Sequence, residues 1–288
     1  MTPILSLDQV QTYADGLDHS EGICLAPDGY VYVGGEAGQV YRVVKGQSAL
    51  EIGRIPGFCL GLAADAESRL YICDHQSAVV WRFDPVSGTL ERFCEGSPEQ
   101  RLRVPNWGCF ASSGTYYVSD SGGWGDCDGL VWRVAAGVTE PWCDSARNFP
   151  NGMALSEDEQ TLYVLESNPA ALVEIPILGN GAAGERRVIA ELPGTVPDGV
   201  AVTSDGQFVI ACYRPDAILL VSATGEVQTL AEDPKGTVLA APTNVTFIGA
   251  GLETMVVPNL GRWHMSTFSV PGVTGIPLAY PSRDAIGS

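Results

Sequence analysis

One short sequence phrase occurs six times in this chain of 288 residues. Each copy starts with one residue of varying type, continues through an apolar run and a turn, and ends in a strand-like segment. The copies begin at Glu21, Leu60, Asn106, Asn151, Asp198 and Asn244, at intervals of 39, 46, 45, 47 and 46 residues. A strand-rich repeat of about 40–50 residues is typical of a β-propeller.

Each repeat contains four strand-like runs. In the fifth repeat they read GVAVTS, FVIAC, AILLVS and VQTLAE, and in the third GCFAS, TYYVS, LVWRV and TEPWC. Aromatic and β-branched runs separated by Gly, Asp or Pro turns indicate antiparallel meanders, and no segment sustains a helical apolar period. We therefore predict an all-β, six-bladed propeller with four-stranded antiparallel blades around a central channel, formed by residues 1–288 as one domain.

A closed ring needs its last blade to be completed by one end of the chain. The segment QTYADGL (11–17) stands before Glu21 as VIAELPG (188–194) stands before Asp198. It is therefore expected to supply the outermost strand of the sixth blade. The tail GIPLAY (275–280) is the alternative.

Composition limits the classes of partner. Acidic residues outnumber basic ones 34 to 16, for a net charge of −18, which disfavours nucleic acid and anionic membrane surfaces as partners. The N-terminal residues lack the basic region of a signal peptide and carry Asp8, so no signal peptide is expected there. The eight cysteines are dispersed, without a C-x-x-C pair, and are expected to be buried free thiols of a cytoplasmic protein.

The leading residue of the phrase varies from blade to blade, and five of the six carry side-chain oxygen. A ring of repeats brings equivalent positions together around the channel. Glu21, Asn151 and Asp198 would supply two carboxylates and one amide oxygen, the ligand types that hard divalent cations take in proteins. Asn106 and Asn244 could bind a ligand or complete the metal shell. Alternatively, these polar residues only solvate a water-filled tunnel and cap backbone donors.

The phrases LDHSEGICLAPDG, FPNGMALSEDEQTLYV, VPDGVAV and PTNVTF resemble the gluconolactonase / regucalcin (senescence marker protein) / luciferin-regenerating-enzyme family, over about residues 15–270. The resemblance implies a propeller with one divalent cation in its channel and hydrolysis of sugar lactones. It carries the metal ligands over to Glu21, Asn151 and Asp198, and a substrate- or metal-contacting residue to Asn106. Ca²⁺ is the expected ion, while Mg²⁺, Mn²⁺, Zn²⁺ and Fe²⁺ accept the same oxygen ligands.

Four positions bear on substrate choice. The third repeat reads Pro105-Asn106-Trp107 where many members of that family read PND. Arg103 lies near the place where some relatives have a substrate-binding arginine, and Trp124, in the loop 119–129, either walls the substrate site or covers the blade edge. The ring position of the second repeat is Leu60, which makes one side of the channel mouth apolar.

Of the three histidines, His19 is the candidate proton carrier, although none occupies the ring position.

The resulting hypothesis is a metal-dependent hydrolase of sugar or aldonolactones. The cation would polarise the ester carbonyl, Asp198 would act as ligand and general base, and Asn106, Arg103 and Trp124 would bind a small-molecule substrate. Two alternatives stay open: hydrolysis of a phosphotriester or another ester at the same metal, and a calcium- or small-molecule-binding propeller without turnover.

Overall fold

Six four-stranded antiparallel sheets make up the protein in a computed structural model, which describes residues 3–287. The all-β, six-bladed prediction is therefore confirmed. Helix is confined, within the described residues, to one 3₁₀ turn at Leu7–Gln9 and the short helix α1 (Arg283–Ile286). No helix between residues 3 and 287 is long and apolar enough to cross a membrane.

The strands follow one another blade by blade. The first strand of the chain is β1 (Gln11–Asp15). Blade one contains β2 (Ser20–Leu25), β3 (Val31–Gly35), β4 (Gln39–Val43) and β5 (Leu50–Arg54). Blade two contains β6 (Cys59–Ala64), β7 (Leu70–Asp74), β8 (Val79–Phe83) and β9 (Leu90–Cys94). Blade three contains β10 (Pro105–Phe110), β11 (Tyr116–Asp120), β12 (Leu130–Ala135) and β13 (Val138–Cys143).

The second half of the chain repeats the arrangement. Blade four contains β14 (Pro150–Leu155), β15 (Thr161–Ser167), β16 (Ala170–Pro176) and β17 (Arg187–Glu191). Blade five contains β18 (Val196–Val202), β19 (Phe208–Arg214), β20 (Ala217–Val221) and β21 (Val227–Glu232). Blade six contains β22 (Thr246–Ile248), β23 (Thr254–Pro258), β24 (His264–Phe268) and, from the other end of the chain, β1.

The hydrophobic core lies between neighbouring blades. The second strand of each blade is covered on both faces, so that β3, β7 and β11 are buried along their whole length. Outer strands such as β5 are largely exposed. Between blades two and three, Tyr71 and Tyr116 pack with Phe110. Burial on both faces explains why the second strands read as continuous runs of Val, Ile and Tyr rather than as an alternation.

The N-terminal strand closes the propeller. β1 pairs antiparallel with β24, in a register that runs from Gln11 opposite Thr267 to Asp15 opposite His264. The expectation for residues 11–17 is confirmed in β1. The alternative, closure by residues 275–280, is wrong.

The C-terminal tail instead forms a strap across the end of the channel opposite the ring. Its amide at Ile276 donates to Val202 O at 3.3 Å, in blade five. At its other end, Tyr280 Oη donates to Leu25 O at 2.8 Å, in blade one. Helix α1 then buries Ile286 in the core of blades two and three.

Candidate functional site

The six leading residues of the repeat come together at one end of the channel, and we call them the ring. Glu21, Asn106, Asn151 and Asp198 lie inside the innermost strands β2, β10, β14 and β18. The strand-like runs read from the sequence, such as GVAVTS after Asp198, therefore start too late: each of these inner strands begins one or two residues before its ring residue. Asn244 alone stands outside a strand, two residues before β22.

A β-bulge holds the ring residue in five blades. Pairing between the first and second strands skips the ring position in each of them, for example between Ser20 and Ile23 and between Pro197 and Gly199. A bulge leaves a residue without a cross-strand partner and turns its side chain out of the regular alternation. This is the local reason why the ring side chains are available to the channel.

Glycine follows the ring residue in four blades because the inner strands approach one another there. A Cβ on Gly61 would lie 2.7 Å from Trp107 Cα, and one on Gly199 would lie 2.6 Å from Asn244 Cα. Blade three has Trp107 at this position instead. Its indole reaches across blade four, so that Cη2 would be 3.0 Å from a Cβ on Gly199.

Two carboxylates and three amides are buried in the ring. Glu21, Asn106, Asn151, Asp198 and Asn244 are between 1% and 8% exposed. Burial, and then the charge of Asp198, raises the pKa of Glu21 well above its usual range. Burial also raises the pKa of Asp198 to about 8, although its interaction with the Asn151 amide opposes the rise. Desolvation by burial, which disfavours the charged form of a carboxyl group, is the first cause of both shifts.

Buried polar atoms without a hydrogen-bond partner are concentrated in the ring. Three of the six such atoms found in the described residues are Glu21 Oε2, Asn151 Oδ1 and Asn244 Nδ2. Leaving a buried acceptor unpaired costs about 1–3 kcal/mol. Two unpaired oxygens next to a buried carboxylate suit a divalent cation, which binds through oxygen. Because residues 3–287 hold no group of three His, Cys, Asp or Glu side chains fit for a metal, such a cation would need the amide oxygen.

Two serines that the sequence analysis missed fix the orientation of the ring amides. Asn151 Nδ2 donates to Ser167 Oγ at 3.4 Å, and Ser167 Oγ donates in turn to Pro197 O at 2.7 Å. Because the serine proton is already used, Ser167 can only accept from the amide. The NH₂ group of Asn151 therefore faces Ser167, and Oδ1 is left for the channel.

The same relay recurs one blade earlier. Asn106 Nδ2 donates to Ser121 Oγ at 3.0 Å, and Ser121 Oγ donates to Pro150 O at 2.8 Å. Both serines follow an acidic residue at the end of the second strand, in the sequences Asp120-Ser121 and Glu166-Ser167. That recurrence was the sequence signal that could have revealed them.

The remaining sequence-predicted residues lie around the mouth of the channel. Arg103 forms an ion pair with Asp128, and its side chain is 52% exposed. Trp124 is 56% exposed and packs against Phe149. His19 Nδ1 lies 2.9 Å from Asp18 Oδ1, so this histidine is engaged at the rim and not in the ring. Leu60 is buried and packs in the hydrophobic core between blades two and three.

A second chamber lies between the ring and the C-terminal strap. This cavity of about 260 Å³ is lined mainly by apolar side chains, among them Leu62, Met153, Val200 and Leu278. Trp107 lines its upper part, next to Gly199. Of the ring residues only Asn244 lines this cavity. The polar ring and the apolar chamber are thus two compartments of one channel.

Comparison with known proteins places the chain in a family. Solved structures with the same fold include a gluconolactonase from Xanthomonas campestris, with a TM-score of 0.77 at 22% identity over 91% of this chain and 89% of that one. The calcium-binding protein regucalcin from Agrobacterium tumefaciens gives a TM-score of 0.72 at 17% identity, over 93% of this chain and 98% of the other. At these identities the likeness concerns the fold alone.

Sequence comparison finds a short match and a long one. Protein STRICTOSIDINE SYNTHASE-LIKE 13 of Arabidopsis thaliana is 41% identical over 71 residues, which are 24% of this chain and only 17% of the plant protein. The long match is to a family model that covers residues 31–259. It includes five of the six ring residues, and Glu21 lies before its first residue. The chain therefore belongs to the SMP-30/Gluconolactonase/LRE-like family.

Proposed function

We propose that this protein is a metal-dependent lactonase whose ring binds one divalent cation. The observation that carries the proposal is the pair of unpartnered oxygens, Glu21 Oε2 and Asn151 Oδ1, beside the buried carboxylate of Asp198. The gluconolactonase and calcium-binding regucalcin folds support a lactone substrate and a calcium-type ion.

Glu21, Asn151 and Asp198 would hold the cation. The pKa of both carboxyls is raised by burial, so they would lose their protons on binding the metal. A bound divalent cation supplies Lewis acidity, which polarises the lactone carbonyl and stabilises the negative charge that develops on its oxygen.

The chain's own residues carry the proton in the hydrolysis. A water molecule attacks the carbonyl carbon, and the Asp198 carboxylate accepts the proton that the water loses as the new C–O bond forms. The endocyclic C–O bond of the lactone then breaks. Asp198 returns the proton to the leaving alkoxide, and the product is a hydroxy acid.

Asn106 would orient the substrate. Because its NH₂ group donates to Ser121, its Oδ1 is the atom left for the channel, and this oxygen accepts a hydrogen bond from water or substrate. Trp124 and Arg103 would contact the substrate at the channel mouth. Arg103 is paired there with Asp128.

The test uses protein freed of metal by exhaustive chelation. Ca²⁺, Mg²⁺, Mn²⁺, Zn²⁺ and Fe²⁺ are added back singly, and acid release from a lactone panel is followed by pH-stat titration, with a phosphotriester and a simple aryl ester alongside. Metal-restored lactone hydrolysis supports the proposal. Preferred turnover of the phosphotriester, or metal binding without any turnover, would replace it with one of the two alternatives.

A further inference from the structure

Two exposed tryptophans stand on opposite sides of the channel mouth. Trp124 lies between β11 and β12 of blade three, and Trp263 lies between β23 and β24 of blade six. They are 56% and 61% exposed. Because successive blades are neighbours around the channel axis, blades three and six lie half a turn apart. The two tryptophans therefore lie on opposite sides of the channel axis, at the end that carries the ring.

Each tryptophan packs edge-on against a residue that precedes a predicted metal ligand by two positions. Trp124 contacts Phe149, two residues before Asn151, with ring centroids 4.9 Å apart. Trp263 contacts His19, two residues before Glu21, with centroids 6.2 Å apart. Phe149 and His19 share a positive φ, 57° and 42° respectively. The same local arrangement thus occurs twice, each time tied to the ring by two residues of chain.

The position two residues before the ring residue carries an apolar side chain in five of the six blades. The six residues at this position are His19, Phe58, Val104, Phe149, Val196 and Pro242. Five of these six side chains offer no hydrogen bond, and the sixth, His19, directs Nδ1 to Asp18. Hydroxyl groups of a substrate that lay against these five side chains would lose water without gaining a partner from them, which is unfavourable. Alkyl or aryl groups lose nothing and gain contact with aromatic surface.

Charge at the mouth disfavours an anionic substituent as well. Arg103 is paired with Asp128, and Arg214 with Asp216. Asp18 and Glu36 lie around His19. Arg147 and Arg262 lie in exposed loops at the same end of the propeller, but the net charge of −18 makes the overall field unfavourable for a carboxylate or phosphate on the substrate.

We infer that the substrate is a neutral lactone that carries an alkyl or aryl substituent. The substituent lies against Trp124–Phe149 or Trp263–His19 while the ester group reaches the ring. This inference rests on the proposed lactonase function and narrows its substrate class from sugar lactones to apolar ones.

The test compares three lactones of the same ring size that differ only in substituents: δ-valerolactone, δ-decalactone with its alkyl chain, and the polyol glucono-δ-lactone. The metal-loaded wild-type protein is expected to favour δ-decalactone over δ-valerolactone in kcat/KM by at least about tenfold, since each buried methylene contributes to discrimination. Glucono-δ-lactone is expected to rank last.

The variants Trp124→Ala and Trp263→Ala locate the effect. At least one of them is expected to lower the ratio of kcat/KM for δ-decalactone to kcat/KM for δ-valerolactone by about tenfold, through KM for δ-decalactone. Val138→Ala is the control, because Val138 is also 61% exposed but lies on the outer strand β13. It is expected to change neither value.

The outcomes separate this inference from the function beneath it. If glucono-δ-lactone is the best substrate, or if neither tryptophan variant alters the preference, the apolar substrate class is overturned and the lactonase proposal stands. If none of the three lactones is hydrolysed with any metal, the lactonase proposal fails and this inference fails with it.

Discussion

Glu21 and Asp198 concentrate two negative charges where the protein gives them little support. Each is less than 9% exposed, and the charge of Asp198 adds to the burial that raises the pKa of Glu21. Buried charges are normally paired or coordinated to metal. A divalent cation between them would satisfy both carboxylates together with the unpartnered Asn151 Oδ1.

Asp198→Asn is expected to abolish high-affinity metal binding. It removes one of only two carboxylates in the ring, so we expect Kd to rise by more than about 100-fold, beyond the loss typical of residues that merely support a ligand. Isothermal calorimetry on metal-free protein measures it. Glu36→Gln is the matched control, because it removes the same charge from a side chain that is 55% exposed near the mouth. An equal rise in Kd in both variants would mean that the overall negative charge of the protein, and not coordination by Asp198, attracts the cation.

The stability of the metal-free protein is expected to fall as pH rises from about 4 to about 8. The native pKa of Asp198 is raised to about 8, and that of Glu21 is also raised, so the folded state holds more protons than the unfolded state across this window. Urea unfolding at several pH values measures the slope. Asp198→Asn should flatten it. A stability that rises with pH across the window in wild-type protein, with the same profile in the variant, would contradict the shift.

The repeat made the ring residues predictable, but not how they are held. Equivalent positions of a propeller must meet around the axis, so Glu21, Asn151 and Asp198 could be selected from the sequence alone. Their bulges could not be, because a bulge is a register relation between two strands, and the phrase gives the residues of both strands without giving their pairing. Nor does any local pattern reveal that Trp107 reaches as far as Gly199.

At the scale of the element, the second strands of blades three and four orient the ring amides of their own blades. Each ends in an acidic residue followed by serine, and each serine links its blade's amide to a backbone carbonyl of the next blade. The acidic residues secure the loops: Asp120 Oδ1 accepts from Val104 N at 2.8 Å, and Glu166 Oε1 from Asn148 N at 2.9 Å. Strand ends thus position the ligand atoms.

Ser167→Ala and Ser121→Ala form a matched pair. Each variant removes one relay and is expected to cost about 1 kcal/mol of unfolding free energy. Only Ser167→Ala frees the amide of a predicted ligand, Asn151, so it alone is expected to weaken metal binding, by about tenfold or more. Chemical unfolding and calorimetry give the two readouts. Equal metal affinity in the two variants would show that the relay does not position a ligand.

At the scale of the whole molecule, β1 holds the propeller closed. Tyr13 of β1 is buried among residues of blades six and one, including Met265 and Val31. Closure by residues 11–17 was predictable from the position of that segment before Glu21. The path of the tail was not, because residues 275–280 make no strand and contact strand ends far apart in sequence.

Tyr13→Ala is expected to open the propeller locally, between blades six and one. The loss of a buried aromatic side chain costs about 3 kcal/mol or more, and the loosened β1 should leave the amides of β24 less protected from hydrogen exchange. Phe93→Ala is the control: Phe93 is an aromatic residue of another outermost strand, β9, and packs on Tyr71 with centroids 4.7 Å apart. It should destabilise without exposing β24. Full protection of β24 in Tyr13→Ala would contradict closure by β1.

The central claim is that the ring holds the cation on which lactone hydrolysis depends. Anomalous diffraction from metal-loaded crystals tests it most directly, together with a lactone assay of the same preparation before and after chelation. We predict one cation bound by oxygens of Glu21, Asn151 and Asp198, at about 2.3–2.6 Å if it is Ca²⁺, and activity that disappears with it. A cation bound elsewhere, or lactone hydrolysis that survives its removal, would contradict the account.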